Sequence, residues 1–126
     1  MRVMIVDDSR AQRMMLRRMV ETLGFETEEA EHGQDALDKL QADDPVDLML
    51  VDWNMPVLDG LDMLKAVRKQ GAYADTTIMM VSSESDPRKI ARALMCGADD
   101  YLVKPVDAPM IREKLIMLGV LEPETV

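Results

Sequence analysis

Residues 2–9 read Arg2-Val3-Met4-Ile5-Val6-Asp7-Asp8-Ser9, a short apolar run closed by two carboxylates. Arg2–Val6 is too brief for a helix and lacks the polar alternation of a half-exposed strand. It reads as a parallel strand covered on both faces. The form recurs along the chain: Asp47–Val51 stops at Asp52, Thr76–Val81 at Ser82, and Asp100–Val103 at Lys104-Pro105. Phe25–Ala30 carries three glutamates and reads as an edge strand.

Between these runs the apolar spacing becomes helical. Met15, Leu16, Met19, Val20 and Leu23 form one stripe, with Gly24 as its stop. Ala36, Leu37 and Leu40 mark a second helix, and Leu61, Leu64 and Val67 a third. Ile90, Ala91, Leu94 and Met95 mark a fourth, with Asp86 as N-cap, Pro87 in the first turn and Gly97 as the stop. Ile111, Leu115 and Leu118 mark the last, with Pro109 early in it. Five strand–helix units predict an α/β fold, a five-stranded doubly wound parallel sheet of flavodoxin-like type with helices on both faces.

Composition narrows the function classes. The 126 residues hold 24 acidic and 15 basic side chains, a net charge of −9. This argues against nonspecific nucleic-acid binding, which needs basic groups to displace counterions, and against docking on anionic lipid. No apolar run approaches the roughly 20 residues that span a bilayer. Met1 leads directly into the first strand, so no signal peptide is expected; with Cys96 the only cysteine, a cytoplasmic setting follows.

In such sheets ligands bind beyond the carboxyl ends of the strands, at the point where the strand order reverses. With the order 2-1-3-4-5, Asp7, Asp8 and Asp52 converge on one crevice, flanked by Ser82 and Lys104. Taken singly, an aspartate after a strand is an ordinary turn former or helix cap, and a lysine is a solvated charge. Five polar groups at four strand ends are another matter. Three adjacent carboxylates cannot all stay ionised without compensation. Lys104 supplies one positive charge, and the surplus calls for a divalent cation, Mg2+ being suited to an all-oxygen site.

Four motifs now carry a resemblance. They are Val6-Asp7-Asp8-Ser9, Val51-Asp52-Trp53-Asn54-Met55-Pro56 with Asp59-Gly60, Val81-Ser82-Ser83-Glu84, and the run from Gly97 to Pro105. Along nearly its whole length the chain resembles a response-regulator receiver domain, of the single-domain chemotaxis type. The resemblance implies that Asp52 is a phosphoacceptor in a two-component phosphorelay, with Lys104 and Ser82 assisting. It implies a Mg2+ site formed by Asp7, Asp8, Asp52 and the Asn54 backbone carbonyl, with Asp7 acting through a water. Ser82 and Tyr101 become a switch pair: Ser82 moves toward the phosphoryl group and the Tyr101 ring turns inward. Asn54 and Glu84 are positions that tune self-dephosphorylation, and a short-lived phosphoform is expected. The resemblance also suggests a cis Lys104-Pro105 peptide.

Arg10, Arg13 and Arg17 share one face of the first helix, where the family docks a histidine kinase or histidine phosphotransfer protein. Arg88, Lys89 and Arg92 open the fourth helix on the expected output face. Either set could equally be a solvated charged face. The thirteen methionines are expected mostly on core stripes. His32 reads as a loop histidine before a helix, and Trp53 as a fluorescent reporter beside Asp52.

With about eight residues left from Gly119 to Val126, a receiver spanning 1–126 without an output domain is expected. It would be a monomer that acts by touching another protein, possible targets including a flagellar motor switch component or the next carrier of a phosphorelay not linked to motility. It is not expected to be an enzyme beyond its own phosphorylation and dephosphorylation. An aspartate-nucleophile phosphatase would need a second aspartate where Asn54 stands, and a flavin carrier would find its phosphate repelled by Asp7-Asp8.

Overall fold

The computed structural model describes residues 1–40 and 46–123. Five strands form: β1 (Arg2–Val6), β2 (Glu26–Ala30), β3 (Leu48–Val51), β4 (Thr77–Ser82) and β5 (Asp100–Val103). They alternate with α1 (Arg10–Thr22), α2 (Gly33–Lys39), α3 (Gly60–Arg68), α4 (Pro87–Met95) and α5 (Ala108–Met117). All pairings are parallel, in the order β2-β1-β3-β4-β5. The expected strands lie within a residue of these bounds, and the glutamate-bearing strand is at an edge. A short 3-10 turn at Gly71–Tyr73, which no periodicity announces, precedes β4.

Helix starts follow local chemistry. Ser9, His32, Asp59, Asp86 and Asp107 each accept a backbone N–H of the first turn, relieving donors that the helix itself cannot satisfy. His32 is thus a cap rather than a free loop residue. Gly24 and Gly97, at φ +93° and +117°, follow α1 and α4 as expected.

Alternating side chains divide the sheet between two cores. Val3, Ile5, Leu48, Leu50, Met79 and Val81 face α1 and α5, against Leu16, Val20, Ile111 and Leu115. Met4, Val6, Met49, Val51, Ile78 and Met80 face α2, α3 and α4. Two burial expectations fail. Met15 of the α1 stripe is exposed, and in α4 only Ala93 is buried: Leu94 and Met95 face solvent, at 42% and 87% exposure. Of the α4 stripe, Ile90 packs against the core, while Leu94 and Met95 are left uncovered. The methionines divide accordingly, with Met1, Met14, Met15, Met95, Met110 and Met117 exposed rather than in the core.

Arg68 ties the end of the sheet remote from Asp52. Its guanidinium donates to the carbonyls of Gly97, Tyr73 and Thr76 at 2.9–3.0 Å and to Asp99 at 2.9 Å, while Asp99 also accepts from the Ile78 N–H. One side chain thereby joins α3, the 3-10 turn, β4 and the α4–β5 turn. Arg68→Met leaves these acceptors without their donor and is expected to lower unfolding free energy by about 3 kcal/mol in a urea titration.

Val57 shows the reverse case. The Leu58 N–H donates to Pro56 O at 2.7 Å, closing a tight turn around Val57 at φ +69°, a conformation that a β-branched residue rarely adopts. Its side chain is exposed, so little packing offsets the strain. Val57→Gly is expected to raise unfolding free energy by about 1 kcal/mol in the same titration.

Candidate functional site

The register of β1 and β3 builds the site. Val6 pairs with Val51, so the next residues, Asp7 and Asp52, emerge side by side; the Asp52 N–H donates to Val6 O at 2.9 Å. Ser82 ends β4 opposite Val103, and Lys104 N donates to Ser82 O at 2.8 Å. Parallel pairing thus delivers four strand ends to one crevice. Carboxylate oxygens of Asp7, Asp8 and Asp52 all come within 4.8 Å of one another. Asp7 and Asp52 are buried and Asp8 is exposed.

Lys104 is the compensating charge. Its ammonium donates to Asp7 Oδ2 at 2.8 Å and stands 3.9 Å from Asp52 Oδ1. Asp7 Oδ1 accepts from the Ser9 N–H, and Asp52 Oδ1 from the Trp53 N–H, both at 2.9 Å. Burial and the neighbouring Asp7 charge nonetheless push the Asp52 carboxyl above the usual range, with Ser82, Lys104 and the Trp53 N–H pulling partly back. A carboxylate held this way favours an added cation. Three converging oxygen donors with one exposed member suit Mg2+, which prefers oxygen and retains several waters.

Gly60 sets how closely α3 approaches the site. A Cβ there would lie 2.2 Å from the Asp52 carbonyl oxygen and 2.9 Å from Trp53 Cα. Its N–H donates to Trp53 O, closing the loop that carries Asn54, whose side chain is exposed. The Asp59-Gly60 pair was visible in the sequence, but the close approach it permits was not.

Ser82 is fully buried, and its hydroxyl oxygen accepts from the Glu84 N–H at 3.3 Å. The Tyr101 ring is already turned inward: it is 8% exposed, and its hydroxyl donates to Glu84 O at 2.8 Å. Burial pushes the phenol above its ordinary range, and the Glu84 and Asp52 charges add to this. Glu84 is half-buried and faces Lys89 at 3.4 Å. The Lys104-Pro105 peptide is cis.

The basic groups part company. Arg10 and Arg17 are exposed on α1, Arg17 pairing with Glu21 and Glu29. Arg13, expected on the same open face, is instead buried, donating to Asp7 O and Glu29. It is unavailable to a docking partner because α1 is turned so that Arg13 points inward toward the β2 edge. Arg88, Lys89 and Arg92 are exposed on α4 as expected. Among the described residues no helix is long and apolar enough to cross a membrane.

Comparison with known proteins agrees with this geometry. Chemotaxis protein CheY1 of Helicobacter pylori is 36% identical over 121 residues, covering 94% of this chain and 98% of that protein. The CheY homolog of Campylobacter jejuni is 37% identical, covering 91% of this chain and 89% of its own length. The solved structure of Vibrio cholerae chemotaxis protein CheY4 superposes with a TM-score of 0.85 at 36% identity, covering 95% of this chain and 98% of that one. Residues 3–116 match the response regulator receiver domain, and the chain belongs to that family.

Proposed function

We propose that the chain is a phosphoacceptor switch of a two-component pathway, with Asp52 as the acceptor. The observation that carries this reading is the convergence of Asp7, Asp8 and Asp52 beside Lys104 and Ser82. An Asp52 carboxylate oxygen attacks phosphorus, a P–O bond forms, and the P–N bond to a partner's phosphohistidine breaks, leaving the imidazole to take a proton. Such transfer depends on positioning and charge neutralisation. Lys104 faces the incoming phosphoryl oxygens and the Ser82 hydroxyl donates to one of them. Asp7, Asp8, Asp52 and the Asn54 carbonyl are the groups that would hold Mg2+, which when bound offsets phosphoryl charge. Asn54 offers no proton-transfer group two residues beyond Asp52, which favours a phosphorylated switch over a turnover phosphatase.

Output is proposed through the surface of α4, β5 and α5. Leu94, Met95, Val103, Met110 and Met117 leave apolar side chains exposed there, beside Arg88, Lys89 and Arg92. Glu84 joins Tyr101 to Ser82, its carbonyl accepting from the Tyr101 hydroxyl and its N–H donating to Ser82 Oγ, which is the route by which a change at Asp52 would reach this surface. The phosphodonor is a histidine kinase or histidine phosphotransfer protein, docking near Arg10 and Arg17. The names of the relatives favour a chemotaxis target, with a phosphorelay carrier as the second reading.

Incubation with acetyl phosphate and Mg2+ is expected to add one phosphoryl group by intact mass, with none added to Asp52→Asn. No label on wild type, or equal label on the variant, would remove the reading. A stability measurement checks the electrostatics. The Asp52 carboxyl is raised in the folded state, so the fold binds the proton more tightly than the unfolded chain does, and stability falls as pH rises above the ordinary carboxylate range. Asp52→Asn is therefore expected to melt a few degrees above wild type at pH 7 in EDTA. The advantage should shrink toward pH 4 and on adding Mg2+.

A further inference from the structure

Arg13 is the one buried cation outside the crevice among the described residues, and its contacts lead back to it. The side chain is about one-tenth exposed, so its charge needs partners to be tolerated. Glu29 of the edge strand supplies one: Arg13 Nε donates to Glu29 Oε1 at 3.1 Å. The other is uncharged. Arg13 Nη1 donates to the backbone oxygen of Asp7 at 2.7 Å, in a buried setting where such a charge-assisted bond is strong.

That oxygen belongs to the peptide plane joining Asp7 to Asp8. Asp7 is also held through its own N–H to Ala30 O, through Oδ1 to the Ser9 N–H, and through Oδ2 to Lys104. Asp8 has no such anchors: among the described residues nothing bonds to its exposed carboxylate. The direction in which Asp8 leaves the backbone depends on the two peptide planes that flank it, the first gripped by Arg13 and the second held by the Ser9 N–H on Asp7 Oδ1. Glu29 in turn is steadied by Arg17 at 3.2 Å, so the guanidinium is braced from the far side.

We propose that Arg13, braced by Glu29, is a positioning residue for the cation site. It fixes the Asp7–Asp8 peptide so that Asp8 meets Asp52 without spending binding energy on ordering the loop. The proposal rests on the reading of the crevice as a Mg2+ site. It assigns the paired glutamate and arginine a role that neither packing nor partner docking gives them.

The test is a Mg2+ titration of the full chain followed by Trp53 fluorescence, with thermal melts alongside. Trp53 is buried and adjoins Asp52, so its emission reports cation binding without any turnover. Arg13→Met keeps the bulk and loses the donors, and is expected to weaken Mg2+ about tenfold, the scale for removing a group that orients a ligand. Arg13→Lys keeps the charge but not the fork, and is expected to remain several-fold weaker than wild type. Glu29→Gln, the milder change should Arg13→Met fail to fold, is expected to shift affinity in the same direction by less. Arg2→Met, which breaks the ion pair of Arg2 with Glu28 at the other end of the same strand pair, is expected to bind Mg2+ as wild type does. Wild-type or tighter affinity in both Arg13→Met and Glu29→Gln overturns the proposal, as does full recovery by Arg13→Lys, which would make charge alone the cause. If wild type itself shows no saturable response to Mg2+, the reading of the site falls and this inference with it; if wild type responds and the variants match it, only this inference falls.

Discussion

Asp7 and Asp52 stand side by side because Val6 pairs with Val51, and no side-chain adjustment can separate them without breaking the central strand pair. That juxtaposition of two buried carboxylates is unfavourable by itself, since burial removes the water that would screen them. The structure meets it with Lys104, brought from the opposite edge of the sheet to within 2.8 Å of Asp7. Most other features of the crevice follow from that balance. The Trp53 N–H engages Asp52, the Ser9 N–H engages Asp7, and Gly60 lets α3 close against the Asp52 carbonyl.

The edge strand illustrates how charge is managed away from the site. Glutamates on a strand read as solvated, yet Glu28 meets Arg2 while Glu29 meets both Arg13 and Arg17. These pairs lie along β2, the edge strand, where charged side chains discourage pairing with another chain. The other flank is handled differently: beyond β5, the surfaces of α4 and α5 keep Met95 and Met117 largely exposed. An acidic molecule thus carries charged pairing on one flank and an adaptable apolar surface on the other.

Particular residues show where sequence reasoning holds and where it stops. The bounds of β1 and β5, the Asp86 cap, and the Gly24 and Gly97 stops were legible because each depends on the residue itself and its immediate neighbours. Asp7, Asp8, Asp52, Ser82 and Lys104 were legible as a set because parallel strands must end on one side of the sheet. The α4 stripe was read correctly as a helix, but only Ile90 of its large side chains packs on the core, and Leu94 and Met95 do not. Periodicity reports which residues share a face, not whether anything lies against it. Arg13 was grouped with Arg10 and Arg17, yet it stands three residues before Leu16 and seven before Val20, and it turns inward with them. The 3-10 turn at Gly71–Tyr73, held in part by Arg68, had no local signal to read.

By itself, then, the sequence determined the five strand–helix units, the helix caps and stops, and the identity of the five polar groups at the strand ends. These are properties of runs a few residues long, governed by backbone sterics, hydrophobic period and the side chain's own donors and acceptors. Only the tertiary structure decided which apolar faces are covered, that Arg13 is buried against Asp7 and Glu29, and that the Tyr101 ring is packed inward on Glu84 O. Those outcomes depend on residues far apart in the chain competing for the same space, and such competition is settled only when the elements pack.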